Sequence, residues 1–331
     1  MFIPVSSPPR IFTSLESDKP FYEEGQELPS RQYILDAKNP LIIFHSHCPD
    51  GFASALCAWL HFGKSAEYLA LNHDQQPPDV TGRSVFVLDI VFSREVMDRV
   101  SRQADTLVVL DHHKSAANDM RGFRCLCGQV HFNLNKSACR LSWEYFHPNE
   151  DAPALIRYVE DNDLYRFQIP GSMEYLAALT AGPYSFSRWA AILAMSSPEM
   201  EAFMQRGKVI QAHARKLAES MAVEAYPVEV NGHQGLMANA PFVLHTEVGQ
   251  ILNRQSGTFS LMWCMDNHGS RVRIGLRSVD DFDLIPLAKA FGGGGHPNSA
   301  GFRLPLNRLP ELLSGKIQSA DLQVTKAEAL V

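Results

Sequence analysis

The chain of 331 residues is short of the features that mark secreted, membrane or duplex-binding proteins. It has six cysteines, Cys48, Cys57, Cys125, Cys127, Cys139 and Cys264, and they are scattered rather than paired at regular spacing. Such usage fits reduced thiols in a cytoplasmic protein and argues against a disulfide framework. Cys125 and Cys127 have one residue between them, too close for the usual zinc pair. No apolar run approaches the roughly 18 residues of a membrane span, so no membrane partner is expected. The opening MFIPVSSPPR has no basic region followed by an apolar core, and is not read as a secretory signal. Positive charge is also scarce: 30 Lys and Arg against 36 Asp and Glu leave a formal net charge of −6. Long duplex nucleic acid, which calls for broad basic surface, is therefore not an expected partner. A small anionic substrate in a local basic pocket is compatible, and so is a homodimer.

What the sequence does contain is a series of buried-strand patterns ending in ionisable residues. Residues 1–38, with scattered prolines and the acidic stretch SLESDKPFYEEGQE, read as an extended arm. After Asn39, Leu41 to Phe44 is an apolar strand that runs into HSHCPDG, and a helix follows from Phe52, Ala55, Leu56, Trp59 and Leu60 at helical spacing. Ser65 to Leu71 reads as a second strand. Ser84 to Leu88 reads as a third, delivering Asp89, and a helix covers about Ser93 to Ala104. The apolar run Leu107 to Leu110 then delivers Asp111, His112 and His113. Strands alternating with amphipathic helices predict a doubly wound, mainly parallel α/β sheet. In such sheets ligands bind beyond the carboxyl ends of the strands. Three strand ends carrying His45 with Asp50, Asp89, and Asp111 with His112 would crowd carboxylates and imidazoles into one cleft, which a bound cation would explain. A fourth segment, ALIRYVEDNDLYRF, is a helix running into Glu160, Asp161 and Asp163. Carboxylates at a helix C-terminus oppose its dipole, so another group should hold them.

The motifs HCPDG, VFVLD, LDHHKS and VEDNDLYRF, in this order, resemble the four signatures of the DHH phosphoesterase superfamily, which includes RecJ-type exonucleases, nanoRNases and pAp phosphatases. The stretch FGGGGHPNSAGFRL from Phe291 resembles the glycine-rich signature of the DHH-associated C-terminal domain. The resemblance implies a manganese pair, with Mg²⁺ as the alternative. Two ions about 3.5–4 Å apart activate a water and clamp a phosphoryl oxygen. Donors that are carboxylates and imidazoles, without thiolates, suit those ions better than structural zinc.

Residue by residue, the resemblance makes Asp89 the carboxylate bridging both ions and His112 the imidazole of one. Asp161 completes that site, with Asp163 as the second candidate. Asp50, with either His45 or His47, serves the other ion. His113 contacts the scissile phosphate, and Asp111 orients a neighbouring imidazole; His113, Asp111 and Asp89 form the catalytic set. One departure is plain. Many members have two aspartates in the first motif one residue apart, whereas here the positions two residues either side of Asp50 are Cys48 and Phe52. That leaves a weaker ion site, a rearrangement using His47, or a catalytically degenerate nucleotide-binding protein.

Beyond Asp163 two short helices are expected over 171–181 and 186–195. A long one opening at Ser197, as N-cap before Pro198 in the first helical position, runs to about Ala222. A smaller α+β domain with a mixed sheet and helices on one side follows from about Glu224. The expected organisation is thus an arm over 1–38, a metal-binding catalytic domain over 39–196, a linker helix over 197–223, a substrate-binding domain over 224–322 and a tail over 323–331. Arg271, Arg273 and Arg277 alternate along one strand and share a face. Four glycines, Gly292 to Gly295, are expected as a loop whose backbone N–H groups can approach an anion. By resemblance, Arg277, Ser278, Gly293, Gly294, Gly295 and His296 grip the part of the substrate remote from the ions. The activity implied is hydrolysis of short oligonucleotides or linear dinucleotides to 5'-mononucleotides. The alternative is removal of a terminal phosphate from adenosine 3',5'-bisphosphate.

Overall fold

The computed structural model describes residues 27–73, 75–266, 269–279 and 282–319, so most of the expected arm and the whole tail lie outside the described residues. Two compact units divide the chain between Phe203 and Met204.

The first unit opens with the short helix α1 (Gln32–Leu35), followed by β1 (Leu41–His45), α2 (Pro49–Phe62), β2 (Glu67–Leu71), β3 (Ser84–Leu88), α3 (Arg94–Gln103), β4 (Thr106–Asp111), α4 (Lys114–Asp119) and β5 (Gly128–Phe132). The helices α5 (Ala138–Phe146), α6 (Ala154–Asp163), α7 (Ser172–Thr180) and α8 (Phe186–Leu193) complete it, and α9 (Ser197–Ala222) crosses the division. The five strands form one parallel sheet in the order β2-β1-β3-β4-β5. Central parallel strands are covered on both faces and so read as continuous apolar runs. Every residue of β3 and all but the first residue of β4 are buried, as are the first four of β1. On one face Ile43, Val87 and Val109 pack with Val96, Met97 and Val100 of α3. On the other, Phe86 meets Phe62 of α2 and Phe146 of α5, each at a ring separation of 5.6 Å. Each such side chain contributes about 1.5–3 kcal/mol by leaving water.

This strand order places the topological switch between β1 and β3, where successive connections leave in opposite directions and open a crevice. His45 ends β1 and Asp89 follows β3, so both stand at that crevice. Gly51 in the first turn of α2 is required by the close approach of the helix to the end of β1. A Cβ there would lie 2.5 Å from the His45 carbonyl oxygen and 2.9 Å from the His45 Cβ.

Three local expectations are corrected. The second strand starts at Glu67 rather than Ser65, because Gly63–Ser65 form a single 3₁₀ turn. The N-cap of α9 is Ser196, not Ser197. Its carbonyl accepts from the Met200 N–H at 2.9 Å, and the Glu199 carboxylate accepts from its N–H at 2.8 Å and its hydroxyl at 2.6 Å. That arrangement puts Pro198 at the second helical position, and Glu199 reaches back as in a capping box.

The third correction concerns the second unit. It holds β6 (Tyr226–Val230), β7 (His233–Asn239), α10 (His245–Ser256), β8 (Phe259–Met265), β9 (Arg271–Ser278), α11 (Ile285–Ala290), β10 (Gly294–His296), β11 (Ser299–Pro305), α12 (Leu309–Leu313) and β12 (Lys316–Ile317). They form a mixed sheet of order β10-β11-β9-β8-β7-β6-β12, with β7·β8 and β6·β12 parallel. Helices cover both faces rather than one, because the strands alternate two apolar sets. Met237, Leu261 and Ile274 pack with Leu287 and Ala288 of α11, while Ala238 and Met262 pack with Val248 and Leu252 of α10 and Ala218 of α9. No helix among the described residues is long and apolar enough to cross a membrane.

Candidate metal centre

The site is built from the ends of three strands and two helix ends of the first unit. Asp89 is fully buried, and neither of its carboxylate oxygens has a hydrogen-bond partner among the described residues. Its nearest nitrogens are His112 Nε2 at 3.3 Å and His45 Nδ1 at 3.5 Å. Its backbone is left-handed at φ 61°, a conformation Asp tolerates better than most residues and one that turns the side chain as the strand ends. A buried carboxylate without hydrogen bonds is costly unless a cation meets it.

His112 Nε2 also lies 3.5 Å from Asp50 and 3.3 Å from Asp163. Asp50, fully buried in the first turn of α2, accepts from the Ala138 N–H at 2.8 Å and the Cys139 N–H at 2.9 Å. Those amides begin α5, whose N-terminal end favours an anion and fixes the carboxylate in place. Asp163 ends α6. Ligand atoms of Asp50, His112 and Asp163 lie within 4.8 Å of one another, a spacing that suits a shared cation.

Asp111 has a different role. Its Oδ1 accepts from the backbone N–H groups of His112 at 2.6 Å and His113 at 3.2 Å, and from His113 Nδ1 at 2.7 Å. With Nδ1 thus engaged, Nε2 is the ring atom through which His113 can act on another group.

The electrostatics follow from the crowding. Burial, then Asp163 and Asp89, push the Asp50 carboxyl well above the usual carboxylate range. Burial opposes a charged His112 ring, yet Asp163, Asp89 and Asp50 raise it to about 10. Burial would raise Asp89 as well, but His112 and His45 hold it well below its ordinary value. In the metal-free protein the His112 imidazolium is the counter-charge of the cluster.

Of the two carboxylates left open for the fourth segment, Asp163 joins the cluster and Asp161 does not. Asp161 accepts from the Gln168 N–H at 2.8 Å and the Ile169 N–H at 3.3 Å, and its carbonyl takes the Arg166 N–H at 2.9 Å. It pins the reversal after α6. Of the two histidines, His45 stands beside Asp89, while His47 is exposed in a left-handed turn at φ 56°.

Sequence reasoning treats Cys48 only as a missing carboxylate. Its thiol clusters with His45 and Asp89, their ligand atoms within 4.8 Å of one another. Burial and the charges of Asp89, Asp163 and Asp50 push the thiol well above its ordinary value. The signal available in the sequence is its spacing two residues before Asp50.

In the second unit the glycine run is not a free loop. Gly294, Gly295 and His296 pair with Gly301, Ala300 and Ser299 as β10 against β11. The glycines answer to packing: a Cβ at Gly293 would lie 2.1 Å from the Gly301 carbonyl oxygen. The Gly293 N–H is spent on the Ala288 carbonyl at 2.9 Å, closing α11. Ser278 is buried, its hydroxyl donating to the Phe282 carbonyl at 2.7 Å and accepting from Asn298 Nδ2 at 3.0 Å. The Arg277 guanidinium donates to the Leu276 carbonyl at 2.9 Å and to the Thr246 hydroxyl at 3.3 Å. Arg273 lies over the Phe242 ring at 4.2 Å.

Residues 242–319 match the family model described as the DHHA1 domain. The uncharacterized protein R106 of Acanthamoeba polyphaga mimivirus is 23% identical over 290 residues, covering 79% of this chain. The chain spans 66% of that relative's length. Among solved structures, an exopolyphosphatase-related protein from Bacteroides fragilis aligns with a TM-score of 0.46 at 15% identity, covering 82% of this chain and 89% of that one. RecJ in complex with Mn²⁺ from Thermus thermophilus aligns with a TM-score of 0.49 at 12% identity, covering 84% of this chain and 53% of that one. The chain thus carries a DHHA1 domain at its C-terminal side, and the four ordered motifs placed around one parallel sheet are similar to the signatures of the DHH phosphoesterase superfamily.

Proposed function

We propose that the protein is a divalent-metal-dependent phosphodiesterase that hydrolyses short oligonucleotides or linear dinucleotides to 5'-mononucleotides in the cytoplasm. The observation that carries this reading is Asp89, buried with both oxygens lacking hydrogen bonds and flanked by two groups of potential metal ligands. Those donors fit divalent ions, Mn²⁺ or Mg²⁺ foremost on the Asp50, His112 and Asp163 side, where every donor is oxygen or imidazole nitrogen. When bound, a pair of such ions supplies an acidified water and positive charge opposite the phosphoryl oxygens.

The remaining steps belong to the chain. Asp89 belongs to the group of His45 and Cys48 and stands 3.3 Å from His112 of the other group, which places it to serve both. Asp50, held by two helix amides, cannot swing away from its ion. Burial works against a charged His113 ring, but Asp111 beside it raises its pKa, which favours a proton on Nε2 as well as on Nδ1. The Nε2 donor suits a phosphate oxygen on which charge develops. In the second unit, the arginine face of β9 and His296 are the groups for the anionic remainder of the substrate.

The test is an assay panel of di- to decanucleotides, cyclic dinucleotides and adenosine 3',5'-bisphosphate, with Mn²⁺, Mg²⁺ or chelator. Release of 5'-mononucleotides, fastest from the shortest linear substrates and abolished by chelator, is expected. Full turnover in chelator overturns the metal assignment, and orthophosphate from the bisphosphate alone overturns the substrate assignment.

A further inference from the structure

The two ligand groups flanking Asp89 differ in chemistry. One consists of Asp50, His112 and Asp163, all hard or borderline donors. The other consists of His45, Cys48 and Asp89. A nitrogen, a sulfur and an oxygen within 4.8 Å of one another are close to the spacing a tetrahedral ion needs, since donors about 2.0–2.3 Å from the ion stand about 3.3–3.8 Å apart.

Two further observations point the thiol at a ligand. Asp89 is completely buried, and its Oδ2 faces His45 Nδ1 at 3.5 Å without a hydrogen bond to either oxygen. Cys48 also occupies the N-cap of α2, with extended φ −110° and ψ 129°, yet its side chain makes no capping hydrogen bond. Ser, Thr, Asp or Asn ordinarily holds that position because an oxygen can accept from the helix amides. Here the cap is forgone, and the sulfur stands beside Asp89 instead.

We propose that the two ions are unlike: His45, Cys48 and Asp89 hold a thiophilic divalent ion of the Zn²⁺ class, while the side of Asp50, His112 and Asp163 holds a hard ion such as Mn²⁺. The inference rests on the two-ion reading above. Ligation forms a metal–sulfur bond, and the thiol proton leaves to solvent. A thiolate selects softer ions than a carboxylate in the same place, so Cys48 sets which metal the protein takes.

The test loads metal-free full-length protein with Cd²⁺ or Co²⁺ and records the ultraviolet thiolate-to-metal charge-transfer band. The wild type develops the band. Cys48→Ser and Cys48→Asp lose it, whereas any band from the other cysteines persists in both variants. Cys48→Asp restores a helix-capping oxygen and a carboxylate ligand, so it folds and shifts its Zn²⁺-over-Mn²⁺ preference down by about tenfold or more, read by metal content after dialysis against both ions. In the wild type alone, Cd²⁺ slows alkylation of Cys48 at least about tenfold, mapped by mass spectrometry, and Mg²⁺ does not. A band unchanged in Cys48→Asp, or equal alkylation with and without Cd²⁺, overturns the proposal. Band and turnover separate the two readings. Hydrolysis without the band refutes the mixed pair alone, and the band without hydrolysis refutes the substrate reading alone.

Discussion

The Nδ1–H of His113 donates to the Oδ1 of Asp111 at 2.7 Å, and the same oxygen accepts the backbone N–H groups of both histidines. One carboxylate therefore fixes the turn after β4 and the tautomer of His113, and its negative charge favours the protonated ring. Asp111→Asn keeps an accepting oxygen but removes that charge. Asp111 raises the His113 pKa against burial, so the variant lowers it, and the basic limb of the rate profile moves to lower pH. At neutral pH kcat falls about 10–100-fold, the usual effect of losing such an orienting partner. Profiles of kcat and kcat/KM against pH for a dinucleotide check it, and an unshifted basic limb removes His113 from the protonated role.

Asp89→Asn tests whether this carboxylate is the shared ligand. Asn also tolerates the left-handed backbone at φ 61°, so the fold survives where Ala would add strain. The substitution removes a fully buried charge whose oxygens have no hydrogen bonds. Turnover is expected to fall by at least about 10³-fold, and because His112 and His45 hold the Asp89 carboxyl well below its ordinary value, the metal-free variant also melts below the wild type at neutral pH. Thermal melts in chelator beside single-turnover assays measure both. Retained turnover rules out Asp89 as the shared ligand.

The metal-free protein should also report the charge of His112 through its pH dependence. This ring is raised from its ordinary value to about 10 by Asp163, Asp89 and Asp50 against burial. A group raised on folding stabilises the native state fully below its unfolded pKa, here about 6.5, and the gain is lost as pH rises through the folded value. In chelator, melting temperature should therefore fall between about pH 7 and pH 10. With ions bound, His112 coordinates as the neutral ring and that slope flattens. Binding at neutral pH should in turn release protons, seen as a buffer-dependent enthalpy in calorimetry. A melting temperature that rises over this interval in chelator contradicts the assigned charge.

The parts of the fold legible in the sequence are those where one physical demand dominates. β1, β3 and β4 are covered on both faces, so their apolar runs announce them and the polar residue ending each one. β5 is not legible because it is an edge strand of mixed burial, and its Gly128 is there for contact: a Cβ would lie 1.8 Å from the Leu107 carbonyl oxygen. The glycines after Phe291 are legible as a motif but not as a conformation, since close strand packing and anion approach both call for the missing Cβ. Cys48 is visible as a departure, and only its placement beside Asp89 gives it a role.

The pair Asp161 and Asp163 illustrates what composition cannot resolve, since both carboxylates lie in the last turn of α6. Two residues along a helix differ by about 200° around its axis, so the two side chains point in nearly opposite directions. Asp163 stands 3.3 Å from His112, and Asp161 holds the amides of Gln168 and Ile169. Asp163→Asn should weaken metal binding about 10–100-fold without lowering the stability of the metal-free protein, because burial and the neighbouring Asp89 already raise this carboxyl. Asp161→Asn leaves one accepting oxygen for two amides, and should cost about 1.5–3 kcal/mol of stability while metal affinity stays near wild type. Isothermal titration with Mn²⁺ and denaturant melts of both variants provide the comparison. If Asp161→Asn lost the metal and Asp163→Asn kept it, the ligand at the end of α6 would have to be reassigned.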